Sequence, residues 1–444
     1  MSTLRNVLRT PELRNKIFFT LFILAIYRLG TQLPAPGVNL DALEALRDAQ
    51  DETTGGIFGY LNLFTGGGLA ALSLFSLGIL PYITASIMMQ ILTVAVPKLE
   101  EWQSQGAIGQ RKITQWTRYV AIGLALVQST GIVFVVARSP EQFFGIDVGL
   151  FPNDHPARIL LAVTCMTVGT ALVMWLGELI TQKGIGNGMS MIIFASVVSS
   201  LPGLGIRIRA LRGDWWLGVA LVLLAILAVG IIFVEQGQRR ITVNFAKRVV
   251  GRRQYGGNNT YIPLKVNQAG VIPVIFASSL LQLPTLLVNV LPVSADGNGW
   301  GDKVRGFIDD NLFQPDNLGY IIVFGSLIVG FAYFYNAIAF DPVRRADELN
   351  KSGGFIPGIR PGPQTERYLS KTLNRITLPG ALFLAVVALI PSAALARLLG
   401  SGSAGGSFVG FSGVSILIAV GVSLEVMKQI NSQLMARNYD GFLK

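Results

Sequence analysis

Hydrophobic residues in this chain come in long uninterrupted runs rather than in the alternating or one-in-three patterns of soluble strands and helices. Runs near residues 17–33, 69–96, 119–137, 158–177, 187–202, 215–234, 269–291, 318–340, 376–399 and 408–430 approach the ~20 residues that an α-helix needs to cross a hydrocarbon core. Polar or Gly/Pro-rich stretches separate them. The pattern predicts an all-α polytopic membrane protein with ten transmembrane helices. The first run, IFFTLFILAIYRLG, is followed by Pro-rich sequence and not by a small-residue cleavage site, so it reads as a retained span.

Residues 57–97 contain no charge until Lys98, a length too great for one crossing at ordinary tilt. Two crossings would put the basic loop around Arg111 on the wrong side, so one full span preceded by a half-span is expected. The half-span IFGYLNLFTGGG ends in three glycines. Irregular backbone at membrane depth is tolerated only where protein or water surrounds it, which predicts a re-entrant or plugging element.

The chain also repeats itself. GILPYITASIMMQ at 78–90 and GVIPVIFASSLLQ at 270–282 agree at six of thirteen positions with an offset of 192, and GMSMII at 188–193 echoes GVSILI at 413–418. Repeats of five spans each have opposite orientations, which implies two inverted halves with a pathway at their interface. The halves are 1–202 and 215–444, joined by a hinge loop at 203–214. Proline within a span strips a carbonyl of its partner, so Pro81 and Pro273 are expected on cavity-facing helices. The repeat makes Ile83 equivalent to Ile275 and Ile193 to Ile418, with Ile87 and Met189 one turn away on the same faces. Together these side chains predict a narrow apolar constriction that excludes water and ions by dewetting.

Charge sets the orientation. With the amino terminus inside, 26 of the 36 Lys and Arg residues fall in inner segments, and acidic Asp41, Glu44, Asp48, Asp51 and Glu52 gather outside. Both termini are then cytoplasmic. Arg207, Arg209 and Arg212 run against the rule. The net charge of +11 is dispersed among loops and does not describe a nucleic-acid-binding domain. Two inner loops are longer than connectors need: 235–268 reads as a protruding hairpin, and 341–375 as a short helix, a Gly/Pro-rich tip and a return helix. Their basic residues suit an anionic docking partner.

Chemistry is sparse. The absence of any Gly-Lys pair excludes a phosphate loop, and His155, the only histidine, excludes HExxH sites. No cofactor or metal is expected, and Cys165 has no partner for a disulfide within the chain. The serine motif GFSG at 410–413 resembles that of intramembrane proteases, but His155 is placed on an outer loop. An ion-coupled secondary transporter is the other alternative, with Arg28, Glu178 and Glu425 as its ionisable candidates.

The strings FTGGGLAALSLFSLGILPYITASIMMQ, MWLGELITQKGIGNGMSMIIF, VEQGQRRITVNFAKR, PLKVNQAGVIPVIFASS and KSGGFIPGIRPG closely resemble the SecY family, channel-forming subunits of the bacterial protein translocase. The resemblance covers nearly the whole chain. It implies a clamshell that translocates unfolded polypeptides and releases hydrophobic segments sideways through a lateral gate between the second and seventh spans. Its pore ring maps onto Ile83, Ile87, Met189, Ile193, Ile275 and Ile418, with Met189 departing from the branched aliphatic expected there. Its plug maps onto residues 57–73, with Ile57, Leu61, Leu63, Phe64, Gly66, Gly67 and Gly68. Gate residues map onto Pro81, Ser86, Gln90, Gln128, Pro273, Ser278 and Gln282. Docking of the SecA motor or the ribosome maps onto Arg239, Arg240, Lys247, Arg248, Arg252 and Arg253 in one loop and Arg344, Lys351 and Arg360 in the other. SecE and SecG are the implied membrane partners, signal-bearing preproteins the cargo, and the bacterial inner membrane, with its lipid, the location.

Overall fold

A computed structural model describes residues 10–39, 41–42, 62, 64–138, 156–245, 248–250, 253–255, 260–290, 317–399 and 413–440. Ile57, Leu61, Leu63, Lys247, Arg252 and His155 lie outside the described residues, as do the side chains of Arg248, Arg253 and Gln282.

Each of the ten apolar runs overlaps a helix. They are α1 (Pro11–Gln32), α2 (Leu80–Ala95), the short polar α3 (Pro97–Ser104), α4 (Ala107–Arg138), α5 (Pro156–Lys183), α6 (Gly188–Arg212), α7 (Asp214–Gln236), α8 (Ile272–Val290), α9 (Leu318–Ala339), the short α10 (Pro342–Lys351), α11 (Pro363–Leu399) and α12 (Gly413–Asp440). Among the described residues seven helices are long and apolar enough to cross a membrane, and α2 with α3, bent by 99°, forms a further candidate. The protein is therefore a multi-pass membrane protein.

Local sequence fixes several ends. Asn187 and Asn317 accept the backbone N–H two residues on, at 3.1 and 3.2 Å, and Asp341 accepts from Val343 at 3.0 Å, so α6, α9 and α10 each start on a side-chain cap. Within the amino-terminal part α4 packs on α2 and α5, and α1 and α6 pack on α5. In the rest α9 packs on α8 and α11, and α12 on α7 and α11. The two groups meet where α2 and α4 touch α8 and where α6 touches α7 and α12. Half of the apolar stretch of α5 is buried against only 11% for α7, placing α5 centrally and α7 at the periphery.

Three expectations are corrected. The second span was expected from residue 69, but residues 66–79 are turns apart from a bridge at Ser73, and the helix begins at Leu80. Gly66, Gly67 and Gly78, at φ +66°, +89° and +54°, supply left-handed backbone that other residues resist. Pro81 and Pro273 are not interior to their helices. Each is the second helical residue, where a missing N–H costs no hydrogen bond. Each also follows a left-handed glycine three residues earlier, Gly78 at +54° and Gly270 at +62°, so the repeat is a repeated helix start. The expected hinge loop at 203–214 is helical through Arg212, with Pro202 accommodated inside α6. Only Gly213, at φ +89°, separates α6 from α7. Apolar periodicity continues past Pro202, and Ile208 is buried beside Ala220 of α7, which explains why the helix goes on. Arg209 belongs to this helix end and pairs with Asp214 at 2.6 Å.

The two long polar loops form one structure. Strand β1 (Gln238–Phe245) pairs antiparallel with β4 (Thr260–Lys265), the expected hairpin, which carries β2 (Arg248–Val250) and β3 (Arg253–Tyr255) beyond it. On its other edge β1 pairs with β5 (Gly354–Phe355) of the second loop through Asn244↔Phe355 and Phe245↔Gly354. Beneath the sheet Ile241, Val243, Leu264, Ile356, Leu369 and Leu373 share one apolar cluster.

Candidate functional site

One apolar cluster joins both groups of helices. Ile83 and Ile87 of α2, Ile193 of α6 and Ile418 of α12 are buried in it, and Met189 and Ile275 pack against it. Below it opens a cavity of about 240 Å³, lined by Ile193, Ile275 and Ile418 and, on its polar side, by Asn187, Glu235 and Asn267. Three of the six expected ring residues, drawn from three helices, thus face one space. Asn267 donates to Glu235 at 2.9 Å and to the Gly270 carbonyl at 3.0 Å, tying the end of α7 to the turn that starts α8. Glu235 and Asn267 escaped the sequence reading because they sit at loop boundaries, where nothing in the apolar pattern marks a cavity wall.

Residues 64–79 lie against α1, α5 and α6. Phe64 is fully buried in the same cluster as the isoleucines. Backbone bonds run from Leu74 N to Leu33 O at 2.9 Å and from Ala35 N to Leu72 O at 2.8 Å. The Phe75 ring stacks on Tyr27, centroids 6.0 Å apart, and covers Gly30, where a Cβ would fall 2.0 Å from it. Arg28, a charge inside an apolar run, donates to the carbonyl of Gly66. Glu178 is held by Arg118, with Nε and Nη2 each 2.6 Å from a carboxylate oxygen. Glu425 lines the cavity.

Of the expected gate residues, those on α2 (Pro81, Ser86, Gln90), on α4 (Gln128) and on α8 (Pro273, Ser278, Gln282) belong to helices in mutual contact, α8 touching both others. Ser278 bonds its own helix at 2.8 Å. Gln90 Oε1 and Ser279 Oγ are buried without a partner among the described residues. On the joint loop structure Arg239, Arg240, Arg344, Lys351 and Arg360 are exposed. Arg240 lies over the Tyr261 ring at 4.9 Å, and Arg344 pairs with Glu348 at 3.5 Å. No group of three or more metal-ligating side chains occurs among the described residues.

The SecY family model matches residues 73–427. The protein translocase subunit SecY of Mycobacterium tuberculosis is 48% identical over 449 residues, covering 100% of both chains. The chain belongs to the SecY family. Solved relatives show the same fold at lower identity. A structure on the SecY plug domain, described as stabilising the closed translocation channel and maintaining a membrane seal, aligns with a TM-score of 0.58 at 18% identity over 94% of this chain and 91% of that one. Sec61 from a canine ribosome-channel complex of the endoplasmic reticulum aligns at 0.57 and 17%, over 94% and 91%. Family membership sets the protein among translocation-channel subunits, which are not enzymes.

Proposed function

We propose that the chain is a passive protein-conducting channel: ten spans in two inverted five-helix halves, 1–212 and 214–444, that meet at Gly213 and close around an aliphatic ring. The observation that carries this reading is the convergence of Ile193, Ile275 and Ile418, from α6, α8 and α12, on one cavity with a polar mouth. Ile83, Ile87 and Met189 complete the ring from the same cluster. Such side chains bind nothing chemically, so they hold back water at rest and yield to any polypeptide that enters. Residues 57–73 act as the plug, with Phe64 pressed into the ring's cluster.

The seam between α2 and α8 is the lateral gate, and the unpaired oxygens of Gln90 and Ser279 make its closed state less favourable than full packing would. The sheet β4-β1-β5 and α10 form the docking face. Its exposed arginines suit ribosomal RNA or the acidic surface of a SecA-type motor. SecE and SecG are the membrane partners expected of the family. Secretory preproteins are the cargo, and a bacterial inner membrane with both termini cytoplasmic is the setting.

Carrier chemistry finds little support. In the closed channel Arg28 donates to the Gly66 carbonyl and Glu178 pairs with Arg118, which leaves the ionisable groups that line the cavity and none among the ring residues. Replacing Ile83, Ile193 and Ile275 with glycine and recording planar-bilayer currents tests the reading. Raised resting conductance is expected, and wild-type conductance would overturn it.

A further inference from the structure

We propose that Tyr27, Arg28 and Ser196 form a releasable catch that holds residues 64–67 closed, a proposal resting on the plug reading above. Their chemistry is unusual for the interior of apolar helices. Tyr27 is 0% exposed and its hydroxyl is 2.7 Å from Ser196 Oγ. Ser196 donates onward to the Ile192 carbonyl at 3.0 Å, so Tyr27 is the donor between them. The same hydroxyl is 3.4 Å from the Thr65 carbonyl. Arg28 Nη1 donates to the next carbonyl, that of Gly66.

Of these two successive carbonyls, that of Gly66 is met by a side chain, while that of Thr65 accepts the Gly68 N–H at 3.3 Å and lies against the Tyr27 hydroxyl that Ser196 holds in place. The fit is close: a Cβ on Gly66 would lie 3.1 Å from Arg28 Nη1 and 3.3 Å from Ser196 Oγ. A buried carbonyl without a donor is unfavourable, so the Arg28 donor lowers the energy of the seated segment alone, and the Tyr27–Ser196 bond shapes the surface on which residues 65 and 66 rest. An arginine within a span needs a compensating partner, and Gly66 provides one only when the segment is seated.

The segment has a second attachment of a different kind. Leu72 and Leu74 are bonded to the backbone of residues 33–35, and the Pro34↔Ser73 bridge lies between them. Every attachment comes from the amino-terminal helices and the stretch that follows α1. Near Phe64 the hold is by side chains, and the strand-like tether lies about eight residues on, with the left-handed Gly66 and Gly67 between. The tether is positioned to stay made while the catch opens, so that Phe64 swings out of the apolar cluster without the segment leaving α1. Tyr27, Arg28 and Ser196 are thus positioning residues that set how readily the seal is broken.

Tyr27→Phe removes one hydroxyl and keeps the ring against Phe75. Ser196→Ala and Arg28→Gln remove the other two groups, and Arg28→Lys keeps a donor. Proteoliposomes holding each variant would be scored for resting ion leak and for export of a preprotein with a weakened signal. Tyr27→Phe and Ser196→Ala should each raise leak or export about tenfold, the shift expected from one lost buried hydrogen bond. Arg28→Gln should do so more than Arg28→Lys. A merely structural role would lower thermal stability in detergent and leave both readouts at the wild-type level. Deletion of residues 64–69 and the isoleucine-to-glycine ring variants run alongside. If these leak and the catch variants do not, the catch is refuted while the channel reading stands. If none leaks, the channel reading itself fails.

Discussion

Arg118 and Glu178 meet in a two-bonded ion pair, Nε to Oε1 and Nη2 to Oε2, both at 2.6 Å, which ties α4 to α5. The parallel geometry uses the planar guanidinium fully. Glu178 is mostly covered while Arg118 is 42% exposed, so part of the attraction is screened. Glu178→Gln is expected to lower stability by about 1–2 kcal/mol. Arg118→Lys, which keeps the charge but not the planar fork, should cost less than Glu178→Gln. Unfolding in detergent with the double variant checks this: single effects that simply add would show that the pair is not coupled.

Helix packing depends on bare backbone at one crossing. A Cβ on Gly188 would lie 1.8 Å from the Gly177 carbonyl and 2.9 Å from Ile180 Cβ. Gly188→Ala is predicted to destabilise by about 2 kcal/mol or more. Gly123→Ala in α4, where a Cβ meets nothing within 4 Å, should stabilise by roughly 0.5–1 kcal/mol. Melting both variants in the same detergent compares them directly, and equal shifts would contradict the contact.

Much of this architecture is readable from residue order, and the failures are specific. Each apolar run overlaps a helix, as lipid favours, and seven of those helices are long and apolar enough to cross a membrane among the described residues. The hairpin at 235–268 followed from its β-branched runs. Proline misled: Pro81 and Pro273 suggest broken helices by type alone, whereas left-handed Gly78 and Gly270 put them at helix starts. Pro202 suggested a loop where a helix continues. The union of the two loops was invisible because β5 has only two residues, Gly354 and Phe355. Tyr27 and Ser196 were missed since neither stands out in an apolar run. Arg28 was the available signal, a charge with no acidic residue near it in sequence.

That union makes a prediction about docking. Arg239→Glu with Arg240→Glu, or Arg360→Glu alone, should weaken co-sedimentation with ribosomes or an ATPase motor about three- to tenfold at low salt and less at high salt. Gly354→Val should impair binding through both loops, because a Cβ there already approaches Phe245 at 3.0 Å and Val243 at 3.2 Å. Normal binding by Gly354→Val would mean that the loops act separately.

Sideways release can be tested at the seam. Cysteines replacing Ser86 on α2 and Ser278 on α8, joined by a short bifunctional reagent, are expected to stop membrane insertion of hydrophobic segments and initiation of export. Reduction of a cleavable reagent should restore both. Unimpaired export with the link intact would exclude this seam as the exit.

Gly213 carries a mechanical consequence. It is the single non-helical residue between α6 and α7, and two peptide units span at most about 7 Å. The ends of these helices stay within that distance however far the two bundles move. Separation is pinned at that edge, so widening the molecule means tilting about a fixed corner, and the gap has to open at the other contacts between the two groups, such as that of α2 with α8.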